Sequence, residues 1–236
     1  LSSISLMAGA VSLSTTGSTG AASLTNHGRA LDLGTVNIGD NLTVETDTGA
    51  ISDSGALTVA GDTTFATTRN NDNITLDSAS AFTGSVGIVT TGTTGNASLI
   101  NTTAALVLTT VNVAGTLTVN TDAGSITDTG VITVSGTSSF QTDQDNQNIT
   151  LDQTNLLTGA VSLLTTGGTG VASLTNHGRA LVLGTTTIGD NLTVNTDVGS
   201  ITDTGVITVV GDTTFQTDQD NANITLDSIS LFTGSV

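Results

Sequence analysis

Carboxylates are the side chains best able to do chemistry in this sequence. Twenty Asp and Glu stand against three Arg, no Lys and no Cys. Asp47, Asp122 and Asp197 recur at one fixed spacing, as do Asp53, Asp128 and Asp203, and Asp77, Asp152 and Asp227. An acid/base pair needs one asymmetric site whose two pKa values are driven apart. Here each of these carboxylates is copied like a structural part. That predicts turn and strand-end roles, with no catalytic residue. The two histidines, His27 and His177, sit in copies of Leu-Thr-Asn-His-Gly-Arg-Ala-Leu, and the middle copy has Ile-Asn-Thr-Thr-Ala-Ala-Leu at 100–106 instead. A side chain lost from one copy of three is a poor catalytic candidate.

The densest oxygen-rich run is Asp143-Gln144-Asp145-Asn146-Gln147-Asn148, which returns at 218–223. Hard cations such as Ca²⁺ take six to eight oxygen ligands. The candidate ligands are Asp143, Asp145, Asp218 and Asp220, and Ca²⁺ is the only cofactor the sequence suggests. The spacing matches no EF-hand loop, and the first copy reads Thr68-Arg69-Asn70-Asn71-Asp72-Asn73. A solvated turn is the competing reading. Asn41, Asn148 and Asn191 open Asn-x-Thr triplets, a pattern that alternating Asn/Thr strands generate by chance.

The formal charge is −17. Such a surface repels nucleic acid and anionic lipid, so neither is an expected partner. The lack of Cys removes any disulfide framework or thiolate metal site. No apolar stretch approaches the roughly 20 residues that span a bilayer, so no membrane insertion is expected. The N-terminus lacks the pattern of a signal peptide. The chain reads as a piece of a longer array.

The elements that must position these residues are strands. Asn191-Leu192-Thr193-Val194-Asn195-Thr196 alternates cleanly, and Thr, Val and Ile dominate such runs. Asp53-Ser54-Gly55, Asp128-Thr129-Gly130 and Asp203-Thr204-Gly205 punctuate them as turns. Everything recurs at one constant period without insertion or deletion: units 6–80, 81–155 and 156–230, with a fourth opening at Leu231. A fixed period of this kind marks stacked units that bury their apolar faces against neighbours. The expected fold is all-β, a right-handed parallel β-helix (β-solenoid) forming one continuous array over 1–236, with about three coils per repeat. Cuts at Gly159, Gly189 and Gly211 divide a repeat into three unequal pieces, 159–188, 189–210 and 211–233. The longest piece would be a coil with extra loop. Nine coils then fill a rod about 43 Å long, with His27 and His177 about six coils apart. Tandem β-domains are the alternative. The same model sets Phe65, Phe140 and Phe215 in register, and Phe82, Leu157 and Phe232 likewise, with other coils between. Ile51, Ile126, Ile201, Ile74, Ile149 and Ile224 are expected in the core. A Thr-rich ice-binding face would need hydroxyls renewed at every coil, and the coils within a repeat differ.

The run from Gly189 to Val209, followed by Asn223–Asp227 and Phe232-Thr233-Gly234-Ser235-Val236, resembles repeats of filamentous haemagglutinin-like exoproteins. These are large bacterial surface adhesins exported by two-partner secretion. The resemblance implies a β-helix stalk, an extracellular, cell-surface location and roles in adhesion or biofilm matrix. It carries over no functional residue. Its expected partners are neighbouring copies or continuing repeats of the same protein, and a cell-surface or glycan ligand. Together these readings predict a non-enzymatic structural and adhesive rod, open to filament formation. The alternative is a β-helix glycan-active enzyme or tailspike-like depolymerase, which would show a unique carboxylate cluster.

Overall fold

The computed structural model describes residues 6–103 and 105–236. Short alternating runs become strands with one buried face. In Leu42–Thr46, Leu42, Val44 and Thr46 point inward while Thr43 and Glu45 point out. The strands form two sheets, one of 15 strands and one of 11, and successive coils pair in parallel. The chain is a β-solenoid, as expected. It crosses between the sheets at every half coil. Because all strands run parallel, every crossing from the first sheet to the second lies along one edge of the rod. Every return lies along the other.

The register corrects the coil count. Ala22 pairs with Leu42, Leu42 with Thr63 and Thr63 with Val86, all on the second sheet. Ala97 is the equivalent of Ala22 one repeat later. It lies on the first sheet, between Ile74 and Leu117. A repeat therefore spans three and a half coils, and equivalent residues of successive copies sit on opposite sheets. The longest piece of the repeat is not one coil with a loop. In the first copy it holds Val11–Ser14, Ala22–Asn26 and Leu31–Ile38, which alternate between the sheets. Each of these strands has an inward face to bury, so none can be spared as loop. The first sheet has eleven successive rungs. At about 4.8 Å per rung the rod is about 50 Å long.

Each coil is lopsided. Its wide face has four inward apolar positions, as in Leu31, Leu33, Val36 and Ile38, and its narrow face has three inward positions. The wide face lies on the first sheet at Leu31–Ile38, Ile51–Asp53 with Leu57–Val59, and Ile74–Phe82. In the next repeat it moves to the second sheet, at Leu106–Val113, Ile126–Asp128 with Ile132–Val134, and Ile149–Leu157.

The half coil also dissolves the expected Phe register. Phe65 lies on the second sheet between Val44 and Ile88, while Phe140 lies on the first between Val119 and Leu163. The ring contacts run across the core instead. Phe65 meets Phe82 edge-on at 6.0 Å, and Phe215 meets Phe232 at 6.1 Å. Leu157 replaces the second ring in the middle copy. Ile51, Ile74, Ile126, Ile149 and Ile201 are fully buried, and Ile224, in the last rung, is half-exposed.

Candidate functional site: edges and outer faces of the rod

The four Ca²⁺ candidates fall on two different edges. Asp143 and Asp145 end a first-sheet strand, Ser138–Asp145, and Asp218 and Asp220 follow a second-sheet strand, Thr213–Thr217. Asp143 accepts hydrogen bonds from Asn120 Nδ2 at 2.8 Å and Gln141 Nε2 at 2.5 Å. Asp218 is held the same way by Asn195 and Gln216. Asp145 lies beside Thr166 in the ladder. Asn146 and Asn221 turn the chain with positive φ, 64° and 62°. Asn tolerates that conformation better than other side chains. Among the described residues, no three His, Asp or Glu are gathered as a metal ion would require.

The histidines form a repeated clasp. His27 Nδ1 lies 2.7 Å from Asp47 Oδ2 in the coil above, and Gly28 N–H donates to Asp47 Oδ1 at 2.7 Å. His177, Gly178 and Asp197 repeat the arrangement. The Gly28 N–H, followed by the His27 hydrogen bond, holds Asp47 below the usual carboxylate range. Gly178 and His177 lower Asp197 likewise. Gly178 has φ of 72°, the left-handed region that favours glycine. His27 and His177 follow second-sheet strands seven rungs apart, about 34 Å, so each clasp stands alone.

Sequence reasoning missed the buried asparagines. Asn26, Asn101 and Asn176 are fully buried at the ends of narrow strands. Asn176 Oδ1 accepts Leu157 N–H at 2.8 Å, and its Nδ2 donates to the carbonyls of Leu157, Arg179 and Ala180. It thus ties down its own corner and the coil below. The signal was present: in Leu24–Asn26, Leu99–Asn101 and Leu174–Asn176 a polar residue occupies an inward position in all three copies.

Asp53, Asp128 and Asp203 end strands, and all three are buried. Asp53 accepts the N–H groups of Asp77 and Ser78, and Asp128 accepts Asn155 Nδ2 at 2.6 Å. Burial outweighs these bonds and pushes both carboxyls above their ordinary range. The triplet asparagines are bonded too. Asn41, Asn148 and Asn191 accept the N–H groups of Asp62, Val171 and Asp212 in the next coil.

Stacking also brings unlike positions of the repeat into line. Ser52, Thr75, Ser98, Thr118, Ser139 and Ser162 occupy consecutive rungs of the first sheet. Hydroxyls are therefore renewed coil by coil, contrary to expectation. The neighbouring column, Ile100, Asn120, Gln141 and Leu164, is mixed, so the hydroxyls run in single file. A shallow polar groove of about 230 Å³ lies over Thr75, Ser98 and Thr118, flanked by Asn73, Asn96 and Thr116.

Fold and surface together define a tandem-repeat β-solenoid whose buried Asn26, Asn101 and Asn176, and Asp53, Asp128 and Asp203, recur in all three copies. The chain belongs to the family described as repeats of unknown function (DUF5649), whose model matches at residues 19–89, 94–164 and 169–236. The gaps between matches fall at the turns around Gly92 and Gly167, where two narrow strands follow one another and the wide face changes sheet. No curated protein and no solved structure matches the chain.

Proposed function

We propose that the chain is a stalk segment of an extracellular, adhesive rod, of the filamentous haemagglutinin-like kind, with no catalytic role. One observation carries the reading. The parallel ladders run through all three repeats without a break, and the carboxyls of Asp47 and Asp197, and of Asp53 and Asp203, close clasps and strand-end caps that recur between copies. Such a surface offers length and repetition. A glycan-cleaving enzyme would instead concentrate a unique pair of carboxyls in a groove. The groove found here is lined by Asn, Ser, Thr, Ile and Ala and contains no acid.

The test has two arms. An antibody against this chain is used on fractionated source cells, and the purified chain is applied to immobilised cell-surface glycans and matrix polymers. Signal at the cell surface with saturable binding supports the proposal. Signal confined to the cytosol, or turnover of any polysaccharide, overturns it.

A further inference from the structure

At the groove over Thr75, Ser98 and Thr118 a side chain departs from the repeat. Asn96 stands at the centre of this groove, where the other copies carry Ala21 and Val171. The third copy shows that the ladder closes without an amide at this position. Val171 N–H donates to Asn148 Oδ1 at 3.0 Å, as Asn96 N–H donates to Asn73 Oδ1 at 2.9 Å. What the Asn96 side chain adds is fixed polar surface. Its Oδ1 accepts Thr116 N–H at 2.8 Å and Thr116 Oγ at 3.1 Å, so the plane of the amide is set. The bond from Asn96 N–H sets Asn73 in the same way. With both carbonyl oxygens engaged, both Nδ2 groups are left over as donors. Among the described residues nothing accepts from them, and the hydroxyls of Thr75, Ser98 and Thr118 have no partner. Ile74 and Ala97 beneath them are buried. The groove therefore presents uncharged donors and hydroxyls, and almost no apolar surface.

We propose that this groove binds a straight, neutral, β-1,4-linked glycan lying along the rod axis. The proposal rests on the adhesive reading above and names the polymer that is gripped. Each rung repeats one kind of contact, an amide or hydroxyl beside a second hydroxyl, at about 4.8 Å. That step is close to the length of one sugar unit in an equatorially linked chain. A straight polymer therefore meets like contacts from rung to rung, whereas a coiled α-linked chain loses register. The three rungs of the groove span about 10 Å, room for about two sugar units. Amides already fixed by the ladder lose little freedom on binding. Charge selects against acidic polymers, because the groove holds no base and the chain carries −17. A peptide strand is excluded in another way. Ala97–Asn101 is paired on one side with Ile74–Phe82 and on the other with Leu117–Thr121, so no backbone edge is open to it.

Nuclear magnetic resonance on the isotope-labelled whole chain reads the asparagine side-chain amides directly. The probes are oligomers of β-1,4-linked glucose and of β-1,4-linked N-acetylglucosamine, with β-1,4-linked mannuronate as the acidic counterpart. The expected result is a saturable shift of the Asn73 and Asn96 side-chain amide signals with a neutral oligomer and none with mannuronate. Asn96→Asp keeps an acceptor for Thr116 N–H and removes the donor. Its melting temperature should hold, and its affinity should fall by about tenfold. Asn96→Val, which installs the residue of the third copy, should lose as much. Thr116 is exposed, so water can serve its N–H in that variant. The proposal is overturned if neither neutral oligomer shifts these signals, if mannuronate binds as well, or if both variants bind as tightly as the parent chain. None of these results touches the stalk reading, which cell fractionation and binding to other matrix polymers judge separately.

Discussion

The half coil can be measured directly. The chain has no Cys, so Thr48→Cys with Val198→Cys gives two unique labelling sites on equivalent turns of the first and third copies. Both turns follow second-sheet strands, Leu42–Thr46 and Leu192–Thr196, seven rungs apart on one edge. Their separation is about 34 Å, whereas three whole coils per repeat would give about 29 Å. Deleting residues 81–155 sharpens the contrast. The join reproduces the natural repeat boundary, so the ladders can close. Three and a half coils then put the labels about 17 Å apart along the axis and on opposite edges. The width of a five-residue strand separates the edges by a further ~17 Å or more, for a total of roughly 25 Å. A whole-coil repeat would keep both labels on one edge, about 14 Å apart. Pulsed electron spin resonance on nitroxide-labelled protein reads both distances with the same tether spread. A deletion distance of about 14 Å, or an undeleted distance of about 29 Å, would refute the register and everything drawn from it.

Three further outcomes follow from the packing. Asn176→Ala strips the partner from buried Leu157 N–H and from two corner carbonyls, and should cost about 3 kcal/mol. Hydrogen exchange should show protection falling by roughly a hundredfold near residues 155–183, with the strand Ala22–Asn26 unaffected, because stability in a solenoid is local. Gly49 has φ of 94°, and its Cβ would lie 2.3 Å from Ala30 N, so Gly49→Ala should lower the melting temperature through a loss of about 2 kcal/mol or more. The carboxyls of Asp53 and Asp128 are raised in the fold, so the protonated forms are favoured there. Their effect is a stability loss as pH rises through the unfolded carboxyl range and on through the raised folded values. Mild acidification from neutrality should therefore raise the melting temperature. The lowered carboxyls of Asp47, Asp62 and Asp197 should reverse the trend below about pH 4. Asp53→Asn, which keeps an acceptor for Asp77 and Ser78 N–H, should flatten the rise between pH 4 and 7, and scanning calorimetry over that range would show an unchanged slope if the reasoning is wrong.

The fold was legible because alternation fixes which side chains turn inward and a constant period keeps them stacked. Ile51 and Ile126 are buried where the pattern placed them. The coil count was harder to read. Gly9, Gly39 and Gly61 mark some corners, but other corners are turned by His27-Gly28, Asp47-Thr48-Gly49 or Asn71, which carry no shared motif. Counting one family of corners misses a half turn in each repeat. Among the candidate residues, Asp143 and Asp218 drew attention through their density on the surface. Asn176 contributes more to the fold, and it hid as one polar letter in an apolar alternation. The edge chemistry was invisible until the register assigned each copy to its edge.

The odd half coil has a structural consequence that an integral count lacks. A coil with four inward positions on one face and three on the other is a wedge in cross-section. Wedges stacked the same way would place all their bulk on one side of the rod. Exchanging the wide face at each repeat cancels the asymmetry over two repeats. The unit that can be duplicated without rearranging the surface is then a pair of repeats, seven coils in all. His27-Gly28-Arg29 and His177-Gly178-Arg179 agree across a middle copy that lacks them, at that separation. Adding one repeat to such an array exchanges its edges at the junction, whereas adding two lengthens the rod and preserves them.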